Sequence, residues 1–236
     1  MADPNLALLH AMALALGPLR DRLVFVGGCA TGLLLTEPAA ASIRVTEDVD
    51  AIVEVASLAG YHSLRPLLAE RGFVQTLEAG TPPFRWHWNR MQLDLVPVDE
   101  RVLGFSNRWY RPGFAAAVSA TLSPQVRLRH LTAPFFLATK FEAFNDRGKR
   151  DVYSSHDLED IVTVVDGRPE LVDELVTTDP AVRAHVVEET RAVLDHPDMR
   201  NALPGIVTQA IRVGIVIDRL QRIAALAPVL ERGHRV

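Results

Sequence analysis

Three aspartates carry the chemistry that this sequence offers. Asp48 and Asp50 stand two apart in the extended-looking run Asp48 to Val55, and Asp94 stands between Leu93 and Leu95 in a second such run. Side chains two apart on a strand share a face, so Asp48 and Asp50 are expected to point the same way. A lone carboxylate between apolar neighbours is costly unless it has a partner. Three carboxylates gathered on one sheet face would repel one another, and a hard divalent cation with oxygen ligands is the usual compensation. Magnesium takes a few carboxylates and completes its shell with water and substrate phosphates, which suits phosphoryl or nucleotidyl transfer. An Asp-x-Asp pair on its own is more often the solvated face of a strand. The inference therefore rests on what surrounds it.

Upstream, Gly27-Gly28 follows the apolar run Leu23 to Val26 and precedes a helix-like segment, Ala30 to Leu35. A glycine turn between strand and helix lets backbone N–H groups approach an anionic phosphate closely. Of the 25 basic residues only Lys140 and Lys149 are lysines. In a chain so biased toward arginine, a lysine at Lys140 suggests that a compact ammonium is wanted there.

These residues resemble the DNA polymerase beta nucleotidyltransferase superfamily, and within it the AbiEii-like and MenT-like toxin branch. The resemblance runs from about residue 23 to 165 and is carried by Gly27-Gly28-Cys29-Ala30, Arg44-x-Thr46-x-Asp48-x-Asp50, Leu93-Asp94-Leu95, Lys140 and Asp157. It implies that Gly27 and Gly28 hold a triphosphate together with Arg44, Thr46 and Lys140. It implies that Asp48, Asp50 and Asp94 bind metal, with Asp94 also helping to activate the attacking hydroxyl. Asp157 would support the lysine or orient the acceptor. Cys29 stands where the family often carries a serine or threonine hydroxyl.

The activity so implied is magnesium-dependent transfer of a nucleoside monophosphate from an NTP with release of pyrophosphate. Two metal ions would be engaged, with manganese as an alternative metal. The acceptor would be RNA, tRNA foremost, and the protein the toxin of a type IV toxin-antitoxin pair with a separate antitoxin protein. Two alternatives stay open: the same chemistry on a protein hydroxyl or a small molecule such as an antibiotic, and a catalytically silent module that binds a partner protein.

The elements that must position these groups read as α/β (α+β). Asp3-Pro4 opens a helix that Gly17-Pro18 stops. A strand, the glycine turn, a loop holding Pro38 and Arg44, and the Asp48 strand follow. A helix over Ser57 to Arg71 precedes two extended runs, Pro83 to Trp88 and Met91 to Val98, which the turn-like Asn89-Arg90 separates. From Ala133 the character becomes helical: Pro134 to about Arg147, Ser155 to Val165, Pro180 to Leu194, and one long last helix from about Pro204 to Leu226. A soft boundary near Ser123 divides a nucleotidyltransferase domain with a mixed sheet, residues 1–123, from a mainly helical domain, residues 124–236, that completes the active site.

The remaining features are read as structural. With 48% hydrophobic and 23% charged residues the chain can build a real core, and a net charge of −4 gives no global attraction to nucleic acid. The single Cys29 rules out an intramolecular disulfide and a cysteine zinc cage, and it reads as a small packing residue. With a lone cysteine a reducing cytoplasm is the expected compartment; no apolar stretch reaches membrane-spanning length, so a soluble protein is expected, and the run Leu6 to Leu16 reads as helix. Trp86 and Trp88 share a strand face and are expected in the core. Arg212, Arg219 and Arg222, with Arg127 and Arg129, are expected on a solvated surface that could meet RNA phosphates.

Overall fold

The computed structural model describes residues 3–37, 43–76, 80–207 and 209–227; Pro38, in the loop ahead of Arg44, lies outside them. The first helix, α1 (Pro4–Leu16), starts where the Asp3 carboxylate accepts the Asn5 N–H at 2.8 Å, and it ends at Gly17 with φ +56°. A 3₁₀ turn leads into β1 (Leu23–Val26). The segment Gly28–Leu34 that follows is a 3₁₀ helix rather than an α-helix. Two glycines in seven residues weaken α-helix formation, and short connecting segments of this kind are where 3₁₀ turns occur.

Next come β2 (Asp48–Val53), α2 (Leu58–His62) and α3 (Leu64–Glu70). The single helix expected over Ser57 to Arg71 is thus two helices. Pro66 has no N–H to give the His62 carbonyl, and restarting the helix at Leu64 places the proline in a first turn, where none is needed. The hairpin β3 (Arg85–Trp88) and β4 (Met91–Pro97) turns at Asn89, which adopts φ +54°. The chain continues through α4 (Glu100–Leu103), α5 (Tyr110–Ala115), β5 (Val118–Ser123) and β6 (Val126–His130). Among the described residues six helices follow: α6 (Ala133–Asp146), α7 (His156–Gly167), α8 (Leu171–Thr177), α9 (Pro180–Leu194), α10 (Met199–Ile206) and α11 (Ala210–Ala224). The long terminal helix expected from Pro204 is divided. Pro204 and the flexible Gly205 close α10 instead of opening a helix, Val207 is extended, and α11 starts afresh.

The six strands among the described residues form one mixed sheet in the order β3-β4-β2-β1-β6-β5. The pairs β2–β4 and β1–β6 are parallel, and the others are antiparallel. The β5–β6 hairpin carries the sheet past Ser123, so residues after 124 supply a strand before the helical run begins. Alternation along the strands separates two cores. Leu23, Phe25, Val49, Ala51 and Leu93 pack with α1 and with Leu64 and Leu68 of α3. Val24, Val26 and Ile52 pack on the opposite face with α6, α7, α9 and α11. Asp48 and Asp50 alternate with Val49 and Ala51, so they share the face of Ile52 and look toward the C-terminal helical layer. No helix among the described residues is long and apolar enough to cross a membrane.

Candidate active site

The register across the sheet brings the aspartates together. On β1, β2, β4 and β3 in turn, Val26, Asp50, Asp94 and Arg85 lie opposite one another in one row. Asp48 is two residues before Asp50 on the same face. Carboxylate oxygens of Asp48, Asp50 and Asp94 all lie within 4.8 Å of one another, and this is a group among the described residues that could hold a metal ion. Asp94 is buried, and Asp48 and Asp50 are half-buried. Burial first, then the neighbouring charge of Asp48, with a smaller contribution from Asp94, push the Asp50 carboxyl up to about 7, although Lys140 and Arg147 pull the other way. A proton on Asp50 relieves the like-charge crowding in the metal-free protein. A hard dication with oxygen ligands suits the same donor set.

Gly27 and Gly28 make this packing possible. Gly27 adopts φ +71°, and a Cβ there would run into the Asp50 carboxylate. A Cβ on Gly28 would come within 2.7 Å of the Thr46 methyl and 3.0 Å of the Arg44 guanidinium. Both glycines therefore admit charged or bulky neighbours at van der Waals range. The segment that carries Arg44 and Thr46 is held by Asn5 of α1, whose side-chain amide donates to the Arg44 carbonyl at 2.8 Å and whose oxygen accepts the Thr46 N–H at 3.0 Å. Thr46 is buried, and its hydroxyl donates to the Asp48 carbonyl at 3.1 Å. The Arg44 guanidinium reaches Glu159 at 3.6 Å and Asp160 at 3.7 Å.

Packing of α6 on α7 sets a second charged group opposite the sheet. The buried Lys140 ammonium lies 3.0 Å from Asp157 and 2.6 Å from Asp160. Burial alone would push this lysine down, but Asp160 and Asp157 more than reverse that and hold it above its ordinary value. Asp157 sits in the first turn of α7, whose N-terminus Ser155 caps by accepting the Leu158 N–H at 3.3 Å. Arg147 grips Asp157 with two hydrogen bonds of 2.9 and 2.8 Å. Burial would raise the Asp157 carboxyl; Arg147 and Lys140 together take it down to about 2.

These groups line one cleft of about 1080 Å³, in which Gly27, Gly28, Arg44, the three aspartates, Lys140 and Asp157 all take part, whereas Thr46 does not. Arg85, which is not among the residues expected at the site, bonds Asp94 through both carboxylate oxygens, at 2.9 and 2.8 Å. Its signal was present: a two-residue turn at Asn89-Arg90 fixes Trp88 against Met91 and hence Arg85 against Asp94. Arg147 falls seven residues after Lys140 and Asp160 three after Asp157, spacings that share a helix face. Asn5 had no sequence signal, because its two partners are about forty residues away.

Cys29 is buried, and burial together with the Asp50 charge pushes its thiol up, which accords with a packing residue. Trp86 is buried and Trp88 packs beside it against the same core. Arg212 and Arg219 do not lie on a solvated surface. Arg212 is buried, bonds Asp166 at 2.8 Å and Glu37 at 3.0 Å, and Arg219 bonds Glu37 at 2.8 Å. Their partners come from α7 and from the chain after the 3₁₀ helix, which sequence spacing along α11 could not reveal. Arg222 and Arg127 are exposed.

No protein-family model matches the chain, and a search of curated proteins finds no similar sequence at a significant level.

Proposed function

We propose that this chain is a magnesium-dependent nucleotidyltransferase that joins a nucleoside monophosphate from an NTP to a hydroxyl of an RNA acceptor, tRNA foremost. The observation that carries this reading is the row of Asp50 and Asp94, with Asp48 beside them, in one cleft with Gly27-Gly28 and Lys140. In this reading residues 1–123 form a polymerase-beta-like nucleotidyltransferase domain, and residues 124–236 bring Lys140 and Asp157 to it. Asp48, Asp50 and Asp94 would hold the cation, magnesium or else manganese, which when bound supplies positive charge at the reacting phosphate. Gly27, Gly28, Arg44 and Lys140 receive the triphosphate. Asp160 and Asp157 keep the Lys140 ammonium charged, and Arg147 holds Asp157 in place. The acceptor oxygen bonds to the α-phosphorus as the bond from that phosphorus to the α–β bridging oxygen breaks. Pyrophosphate departs with that electron pair, and the hydroxyl proton passes to the carboxylate group, at Asp94 by resemblance.

The same resemblance supports a role as the toxin of a type IV toxin-antitoxin pair, acting in the cytoplasm and countered by a separate antitoxin. Glu142 and Asp146 on the same cleft favour a second reading, in which the acceptor is a cationic small molecule such as an antibiotic.

The test is incubation of the purified protein with magnesium, each labelled NTP in turn and total bacterial RNA. Label is expected on tRNA with the native chain and absent with Asp48→Ala and Asp50→Ala, both of which should keep native circular dichroism. Transfer retained by both variants would sink the assignment. Label moving to a small molecule or to protein would replace the RNA acceptor.

A further inference from the structure

Two aromatic rings in the cleft serve no core. Phe84 precedes β3, with its carbonyl accepting the Leu95 N–H at 2.8 Å, one residue beyond Asp94. Phe105 follows α4, directly after Gly104 at φ +83°. The rings lie 5.0 Å apart at a tilt of 57°, both line the cleft, and Phe105 is 37% exposed. Neither ring belongs to the two hydrophobic clusters that flank the sheet.

Their place in the strand order gives them a direction. Passing across the sheet, the glycine turn ends β1, Asp50 is on β2, Asp94 on β4, and Phe84 adjoins β3. The carboxylates therefore stand between the glycines and the aromatic pair. In an in-line displacement the attacking oxygen and the departing pyrophosphate lie on opposite sides of the phosphorus. With the pyrophosphate on the Gly27-Gly28 side, the acceptor enters from the side of Phe84 and Phe105. A nucleobase has a flat face that stacks on aromatic side chains whatever its identity, whereas a serine hydroxyl or a saturated sugar ring has none.

We infer that Phe84 and Phe105 form a stacking platform for the terminal nucleobase of a single-stranded RNA acceptor. This inference rests on the nucleotidyl-transfer reading for its direction, and its test is separable from that reading. The anisotropy of a 5′-fluorescent RNA octamer would be measured with the native chain and without NTP, against the same octamer ending in an abasic 3′ nucleotide. The doubly substituted chain, Phe84→Leu with Phe105→Leu, would be measured alongside. The native protein is expected to bind the intact end about tenfold more tightly than the abasic end, as loss of one stacking aromatic contact would predict. The double variant is expected to bind both alike. In the transfer assay the double variant should raise KM for RNA about tenfold and leave KM for the NTP unchanged. Equal binding of both octamers by the native chain, or a rise in KM for the NTP instead, would overturn the platform. Transfer onto RNA with base-indifferent binding overturns the platform alone. Base-dependent binding without transfer to any acceptor supports the platform and overturns the transfer reading.

Discussion

Asp50 links the metal-free site to the stability of the whole fold. An aspartate titrates near 3.8 ordinarily, and here it is raised to about 7. Between those values the folded chain binds more protons than the unfolded chain, so stability falls as pH rises through that window. In chelator the melting temperature is therefore expected to drop from about pH 5 to about pH 8, and Asp50→Asn should remove most of the drop. Magnesium should raise the melting temperature more at the higher pH, where it meets carboxylates already free of the proton. Thermal melts at both pH values, with and without magnesium, check this; an equal magnesium effect at both would count against a metal site at these carboxylates. At this scale Asp48 and Asp50 could be singled out from their spacing, Asp94 from its apolar setting and Lys140 from the scarcity of lysine. The hairpin register points Arg85 at Asp94, whereas Arg147 could not be told from the other arginines, since its spacing from Lys140 does not say that it faces Asp157.

Elements with local punctuation were legible: the Asp3-Pro4 start of α1, the β3–β4 hairpin, and the helix Pro180–Leu194. Elements that depend on where a proline falls within a turn were not, as Pro66 and Pro204 show. The link between α1 and the segment before β2 belongs to neither kind. Asn5 is fully buried and satisfies one backbone donor and one acceptor across it. Asn5→Ala leaves both groups without that partner, which is expected to cost about 1–3 kcal/mol of stability. Hydrogen exchange at residues 44–48 should speed up more than exchange in α9, and the proposed transfer should fall because Asp48 and Arg44 lose their fixed backing. A variant whose loss of protection is uniform along the chain would show that Asn5 acts only through global stability.

The whole molecule is a sheet between two unequal helical layers, and its strand order is the part least visible in the sequence. The central strand β1 is flanked by β2 on one side and by β6, about a hundred residues later, on the other. Parallel partners so far apart leave no local pattern, whereas an antiparallel hairpin does. The expected mixed α/β character is what the structure has. The far end of the chain reaches back in the same non-local way: Arg212 and Arg219 of α11 grip Glu37 and the end of α7, and Arg212, followed by Arg219, holds the Glu37 carboxyl down to about 2.

None of the residues of α11 lines the cleft, yet Leu220 and Ile223 of that helix help to close the core on which α6 and α7 rest. A chain ending at Val207 should therefore lose its cooperative melt and its activity, and a separate peptide of residues 208–236 should restore both, with activity saturating as peptide is titrated in. Failure of any peptide concentration to restore the melt would show that α11 must be covalently present. If it does restore it, the last helix is a detachable key, and the protein becomes a two-piece reporter that turns on when its fragments are brought together.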